Sequence, residues 1–255
     1  MPGRITDDPA GAVRAVCFDL DGTLVETEFL KALSYAHTVA GLRPAVPVDA
    51  VLAAYADLAG QPREEIAAAL VARFAVAVPE ERFLALRVAR YEVALADHAL
   101  VRAQAYLPTI ALLRDVRARG YRTGVATMST ADQAGAVLAV LGIADAFDAV
   151  VTRDEVTAPK PDPEIYRLLA ARLGVSPSEC VTIEDSLPGI RSALAAGMHC
   201  VAAATALTRS TVHASGVLPP NRIVDDPADL AAMVNAILAV RGGGLQRQEV
   251  RESDE

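Results

Sequence analysis

Apolar residues along this chain follow two rhythms. From Val13 to Phe18 they run almost unbroken, with only Arg14 polar, the pattern of a strand buried on both faces of a parallel sheet. From about residue 26 to 104 no such run recurs. The periodicity there is helical, broken at 41–47, 60–62 and 78–79, and it predicts helices over 28–40, 48–59, 63–74 and 80–103. Beyond Pro108 the two rhythms alternate. Helices are predicted over 108–119, 131–141, 163–173, 187–196 and 227–240, and strands over 121–127, 149–152, 180–183, 199–204 and 222–224. Strands separated by helices of about ten residues build right-handed βαβ units, so the predicted class is α/β, a doubly wound and mainly parallel sheet. The helical block that interrupts it directly after the first strand reads as a separate module or lid. Core segments are expected over 1–25 and 105–240, with residues 1–12 a loose leader. The helical module covers 26–104, and a disordered tail covers 241–255.

Composition narrows the classes. With 255 residues, 53% hydrophobic and 22% charged, the chain can bury a proper core and carry an accessory domain. Its formal net charge of −8 disfavours nucleic acid, which needs a basic face. Of 24 basic residues only Lys31 and Lys160 are lysine, which raises the question of whether a compact ammonium is needed at either place. Cys17, Cys180 and Cys200 sit in or beside apolar strand-like runs without zinc or Cys-x-x-Cys spacing, so burial as small hydrophobes is expected. The first twelve residues lack a signal core and no apolar run reaches the ~18 residues of a membrane span. The expectation is a soluble, cytoplasmic protein with no membrane partner.

Chemistry collects where strands end. The first runs into Asp19-Leu20-Asp21-Gly22-Thr23. Asp-Gly after a strand is an ordinary turn signal, which accounts for Asp21 and Gly22 but leaves Asp19 at the sheet edge unexplained. The next strand ends in Thr127, followed by Met128, Ser129 and Thr130 at a helix start; a third leads into a loop with Lys160; a fourth ends in Glu184-Asp185-Ser186. Ligands in open parallel sheets bind at these carboxyl ends. Asp19 and Asp185 supply hard oxygen ligands suited to Mg²⁺, which favours few carboxylates plus substrate phosphate. A carboxylate beside a phosphate dianion meets a repulsion of about 4 kcal/mol per unit-charge pair at ~4 Å and an effective dielectric near 20, so attack needs Mg²⁺ and Lys160 to offset it. Thr127, with backbone N–H groups at the following helix start, makes a phosphate cradle. Asp19 is then the nucleophile, forming an aspartyl-phosphate, and Asp21 the acid that protonates the leaving oxygen and later takes a proton from water.

The stretch Phe18-Asp19-Leu20-Asp21-Gly22-Thr23-Leu24, Thr127, Lys160-Pro161 and Ile183-Glu184-Asp185-Ser186-x-x-Gly189 resemble, in order, the four signature motifs of the haloacid dehalogenase superfamily. Glu184 to Met198 is similar to the subgroup containing β-phosphoglucomutase and small sugar-phosphate phosphatases. The resemblance, over about residues 13–240, implies a Rossmann-like core with an inserted helical cap. It implies Mg²⁺ held by Asp19, the backbone carbonyl of Asp21, and Asp185, with Glu184 as an additional or outer ligand. It also implies that a small phosphorylated metabolite is the partner, bound at Thr127, Met128, Ser129 and Lys160 by a monomer or weak dimer.

Within that superfamily Asp21 argues against true dehalogenases and phosphonate-cleaving members, which lack the second acid. The expected activity is a Mg²⁺-dependent phosphatase acting on a sugar phosphate or a glycolate-like ester, and a phosphomutase is the alternative. The Gly60–Glu65 loop resembles the one where such caps offer an arginine, here Arg63, to a second phosphate, and Arg87 sits where they carry a basic residue. Lys31 stands in place of their hinge-proximal histidine, which weakens the mutase reading. Helix-surface solvation accounts equally for Arg63 and Arg87. A non-enzymatic phosphoacceptor of the receiver type is a remote alternative: receivers need no acid two residues past the phosphoacceptor and hold no helical insert of this size.

Overall fold

The computed structural model describes residues 12–58 and 63–241. In chain order, β1 (Ala15–Phe18) is followed by α1 (Glu28–Leu42), α2 (Val48–Ala56), α3 (Arg63–Arg73), α4 (Glu80–Ala96) and α5 (His98–Ala103). Then come α6 (Leu107–Ala118), β2 (Arg122–Ala126), α7 (Ala131–Leu141), β3 (Ala149–Val151) and α8 (Glu164–Leu173). The chain continues through β4 (Cys180–Glu184), α9 (Leu187–Ala196), β5 (His199–Ala203), α10 (Arg209–Ser215), β6 (Ile223–Val224) and α11 (Leu230–Arg241). None of the described helices is long and apolar enough to cross a membrane.

Two compact units result. The first takes in the sheet, with residues up to Leu24, Tyr106–Thr130 and from Asp145 onward. Among the described residues its six strands are all parallel, in the order β3-β2-β1-β4-β5-β6. Ala15 is paired with Arg122 on one side and with Cys180 on the other, so β1 lies between the two halves of the winding. This is the Rossmann-like arrangement in which strand order reverses at the centre and the carboxyl ends of β1 and β4 flank a crevice. All four residues of β1 are buried, which explains why its sequence reads as a continuous apolar run. Ala15 and Cys17 face a core of Tyr166, Leu169, Ile190, Ala193, Cys180 and Cys200, supplied by α8, α9, β4 and β5. Phe18 points the other way and meets Phe147 edge-on, with ring centroids 6.0 Å apart.

The second unit comprises Val25–Ala105 and Ala131–Ala144. In α1 the residues Ala32, Tyr35, Ala36 and Val39 repeat at helical spacing and are all buried, facing Tyr55, Leu70 and Phe83. Tyr35 packs against Tyr55 and Phe83 at centroid distances of 5.5 and 6.2 Å. A bridge between Val25 and Ala105, with the Glu26 N–H donating to the Gln104 carbonyl at 2.8 Å, closes the base of this unit.

Three local features differ from the sequence reading. The helix expected over 80–103 is broken at Asp97, whose carboxylate accepts from the Leu100 N–H at 3.0 Å and caps a new helix. Helix α10 occupies a stretch with no expected element. Residues 131–144, read from alternation as part of the sheet domain, group with the second unit, where the Arg102 guanidinium donates to the Val140 carbonyl at 3.1 Å. The predicted leader, apart from Ala12, and the tail beyond Arg241 lie outside the described residues.

Candidate active site

Four strand ends in the first unit bring the polar residues together. The Asp19 N–H donates to the Ile183 carbonyl of β4 at 3.0 Å, extending the β1–β4 ladder by one residue and fixing the carboxylate at the crevice. Glu184 is the last residue of β4 and Asp185 the next, while the Thr127 N–H continues the β2–β3 ladder by donating to the Val151 carbonyl at 3.0 Å.

Lys160 arrives from the loop before α8 and unites the cluster. Its ammonium lies 2.7 Å from Asp19 Oδ1, 2.7 Å from Glu184 Oε1 and 2.9 Å from the Ala126 carbonyl. The Lys160 side chain is 6% exposed, so these partners replace nearly all of its water. Burial works against the charged amine, but the carboxylates of Asp19 and Glu184 outweigh it and hold the ammonium well above the usual lysine range. Asp19 is also pushed up, to about 7, which for a carboxyl disfavours the charged form. Burial is the main cause, Glu184 and Asp21 add to it, and Lys160 offsets only part.

Carboxylate oxygens of Asp19, Glu184 and Asp185 lie within 4.8 Å of one another, all three residues buried. Lys160 pairs with two of these three buried acids, and a cluster of carboxylate oxygens in a dry site has the charge and donor type that a divalent cation with oxygen preference takes. Two glycines make the approach possible. Gly22 has φ +85° and lies against Asp185, so close that a Cβ would fall 2.4 Å from Oδ2. At Gly189 a Cβ would fall 1.9 Å from Glu184 Oε1. The donor set therefore fits Mg²⁺ in charge and chemistry, with the backbone cut away beside two of its carboxylates.

Two hydroxyls hold Asp21: Ser129 Oγ donates to its Oδ2 at 2.8 Å and Thr127 Oγ1 at 3.2 Å, while the Ser129 N–H donates to Thr127 Oγ1 at 3.0 Å. Asp19 thus lies beside an ammonium, and Asp21 accepts from two neutral hydroxyls. Met128, between the two hydroxyl residues, packs its side chain on the sheet core.

The remaining predicted residues belong to the second unit. Lys31 pairs with Glu28 at 2.7 Å, and the other Glu28 oxygen accepts from Tyr55 at 2.8 Å. Arg63 pairs with Glu64 at 2.6 Å, and its carbonyl accepts from Tyr35 at 3.2 Å. Arg87 places its guanidinium 4.9 Å from the ring centroids of both Tyr35 and Tyr91.

One residue of the cluster escaped the sequence reading. Tyr166, fully buried, donates its hydroxyl to Glu184 Oε1 at 2.8 Å. Its signal was available: it shares the apolar face of α8 with Leu169 and Leu173, and a tyrosine at a core position must find a partner for its hydroxyl.

Comparison with known proteins places this geometry in context. Residues 13–197 match a family model described as haloacid dehalogenase-like hydrolase. Validoxylamine A 7'-phosphate phosphatase of Streptomyces hygroscopicus subsp. limoneus is 32% identical over 203 residues, 75% of this chain and 86% of that protein. Phosphoglycolate phosphatase of Rhodospirillum rubrum is 31% identical over 230 residues, 85% of this chain and 89% of that one. The crystal structure of CbbY from Rhodobacter sphaeroides in complex with phosphate has a TM-score of 0.65 at 26% identity, covering 88% of this chain and 99% of that chain. Protein SUPPRESSOR OF QUENCHING 1, chloroplastic, of Arabidopsis thaliana is 30% identical over 237 residues, 92% of this chain, which spans 21% of its length.

Proposed function

Since this chain belongs to the haloacid dehalogenase-like hydrolases, in the group resembling β-phosphoglucomutase and the sugar-phosphate and phosphoglycolate phosphatases, we propose that it is a Mg²⁺-dependent phosphatase of a small-molecule phosphate monoester. The observation that carries this reading is the buried set of Asp19, Glu184 and Asp185 oxygens, with Lys160 bridging Asp19 and Glu184 and with Asp21 accepting from Thr127 and Ser129.

Asp19, Asp185 and the backbone carbonyl of Asp21 would hold Mg²⁺, with Glu184 additional or outer; when bound, the ion supplies positive charge that lets a phosphate dianion approach an ionised carboxylate. Asp19 attacks phosphorus, a new O–P bond forms, and the ester oxygen leaves with a proton from Asp21. Asp21 then takes a proton from the water that attacks the aspartyl-phosphate, releasing inorganic phosphate and restoring Asp19. Lys160, bonded to Asp19 Oδ1, fixes the nucleophile and offsets charge on the transferring group. Thr127 and Ser129 are donors of the kind a phosphate oxygen needs, with Met128 contributing backbone. Lys31, Arg63 and Arg87 of the second unit are candidates for selecting the rest of the substrate. The reading places a monomer or weak dimer in the cytoplasm, consistent with three free, buried cysteines.

The test is phosphate release from a panel of sugar phosphates and phosphoglycolate, with Mg²⁺ and with chelator. Turnover that needs Mg²⁺ and disappears in Asp19→Asn is expected; turnover that survives either change overturns the reading. A mutase arm uses β-glucose 1-phosphate with a bisphosphate primer, where glucose 6-phosphate appearing faster than free phosphate would reverse the preference for hydrolysis.

A further inference from the structure

Two carboxylates compete for one ammonium in this site, and they do so at equal distance. Lys160 Nζ is 2.7 Å from Asp19 Oδ1 and 2.7 Å from Glu184 Oε1. It also donates to the Ala126 carbonyl at 2.9 Å and, at a longer 3.3 Å, to the Tyr166 hydroxyl oxygen, so its three N–H groups are shared among four acceptors. Its position is therefore set by the balance of pull between two anions, and whatever neutralises one of them moves it toward the other.

Glu184 is the anion that the rest of the first unit neutralises. The residue is 0% exposed and accepts five hydrogen bonds. Its Oε2 takes the N–H of Asp185 at 3.1 Å, the N–H of Ser186 at 3.2 Å and the Ser186 hydroxyl at 3.1 Å, at the start of α9. Its Oε1 is shared between Lys160 and the Tyr166 hydroxyl, which donates at 2.8 Å. The Tyr166 ring also faces the ammonium, with Nζ 4.9 Å from its centroid, and the hydroxyl oxygen stands 3.3 Å from Nζ.

We propose that Tyr166 is a positioning residue for phosphoryl transfer: by donating to Glu184 Oε1 it weakens that oxygen's hold on Lys160 and keeps the ammonium on Asp19. The inference rests on the phosphatase reading for its consequence in turnover, but the geometry it describes does not depend on the substrate. Without the hydroxyl, Glu184 Oε1 has Lys160 as its sole partner among those described here. The ammonium then shifts toward Glu184, and Asp19 loses the cation that orients it for attack. The ground-state binding of phosphate by Thr127 and Ser129 is untouched.

The variant is Tyr166→Phe, which keeps the buried ring and removes one oxygen. The expected consequence is a fall in kcat of about fivefold, which corresponds to about 1 kcal/mol in the barrier. With p-nitrophenyl phosphate and saturating Mg²⁺, that fall is expected with KM within about twofold of wild type. Unchanged kcat overturns the proposal, as does a fall in kcat that a lowered thermal midpoint accounts for. A second measurement does not need activity. Because the chain has only two lysines, Lys31 and Lys160, ¹³Cε-lysine labelling gives two assignable sets of signals. Tyr166→Phe should move the Lys160 signals and leave those of Lys31 in place; a Lys160 signal unmoved in the folded variant overturns the proposal. If wild type fails to hydrolyse any ester, the phosphatase reading falls, and the lysine spectra still decide whether Tyr166 positions Lys160.

Discussion

Asp19 holds its carboxyl where ionisation is unfavourable, and the metal-free protein should show it. The native carboxyl sits at about 7 against 3.8 in the unfolded chain, so the native state binds this proton more tightly. Stability from this group is fully present below about 3.8 and is lost as pH rises through about 7, by about 1.4 kcal/mol per unit. Asp19→Asn removes the titration. In chelator, denaturant unfolding of wild type should therefore weaken between pH 5 and 8 relative to Asp19→Asn, and parallel profiles would contradict the assigned cause. Asp21 belongs to the same scale but to different chemistry. Its Oδ2 accepts from the neutral hydroxyls of Ser129 and Thr127, and its proposed role is that of the acid. Asp21→Asn is expected to cost about 10²–10⁴ in kcat on an alkyl phosphate. The loss on p-nitrophenyl phosphate, whose leaving group needs no proton, should be much smaller; equal losses would remove the acid role.

At the scale of elements, the turn after β1 and the start of α9 matter because backbone and carboxylate touch there. Gly22 combines a left-handed φ of +85° with contact to Asp185, so Gly22→Ala meets both strain and collision. The expected result is a loss of roughly 1–3 kcal/mol in stability, with the Mg²⁺ concentration for half-maximal activity raised, since Asp185 must move. Wild-type Mg²⁺ dependence in Gly22→Ala would mean that the contact does not shape the metal site. Asp97 offers a contrasting case away from the site. Its cap on α5 is worth about 1 kcal/mol, so Asp97→Ala should lower unfolding free energy by that amount and leave kcat unchanged. Periodicity alone did not reveal this break, because the apolar positions of α4 and α5 continue in phase across it. Only the capping side chain marks it, and aspartate in a long helical stretch is also tolerated on the surface.

Over the whole molecule, what was legible in the sequence followed from burial. A strand with both faces covered must be apolar throughout, so Val13–Phe18 announced the centre of a parallel sheet, and the acids at its end announced the crevice. Partnerships made by distant segments were less legible: Tyr166 with Glu184, and residues 131–144 with the second unit, depend on helix packing that no local pattern encodes. The same division predicts where metal binding is felt. A ligand held by the native first unit stabilises it by RT ln(1 + [L]/Kd), about 2.7 kcal/mol at a hundredfold excess over Kd. The amides of Asp19, Asp185 and Ser186 hydrogen-bond at the two strand ends that carry the proposed ligands, so openings that expose them are expected to break the proposed ion site. Hydrogen exchange with and without saturating Mg²⁺ should slow these amides by up to about a hundredfold. The helices around Tyr35 and Phe83, which form a core of their own, should keep their rates where they open locally. Protection confined to the second unit, or absent from Asp185 and Ser186, would place the ion elsewhere, because an ion coordinated by Asp19 and Asp185 stabilises the closed strand ends that hold those N–H groups.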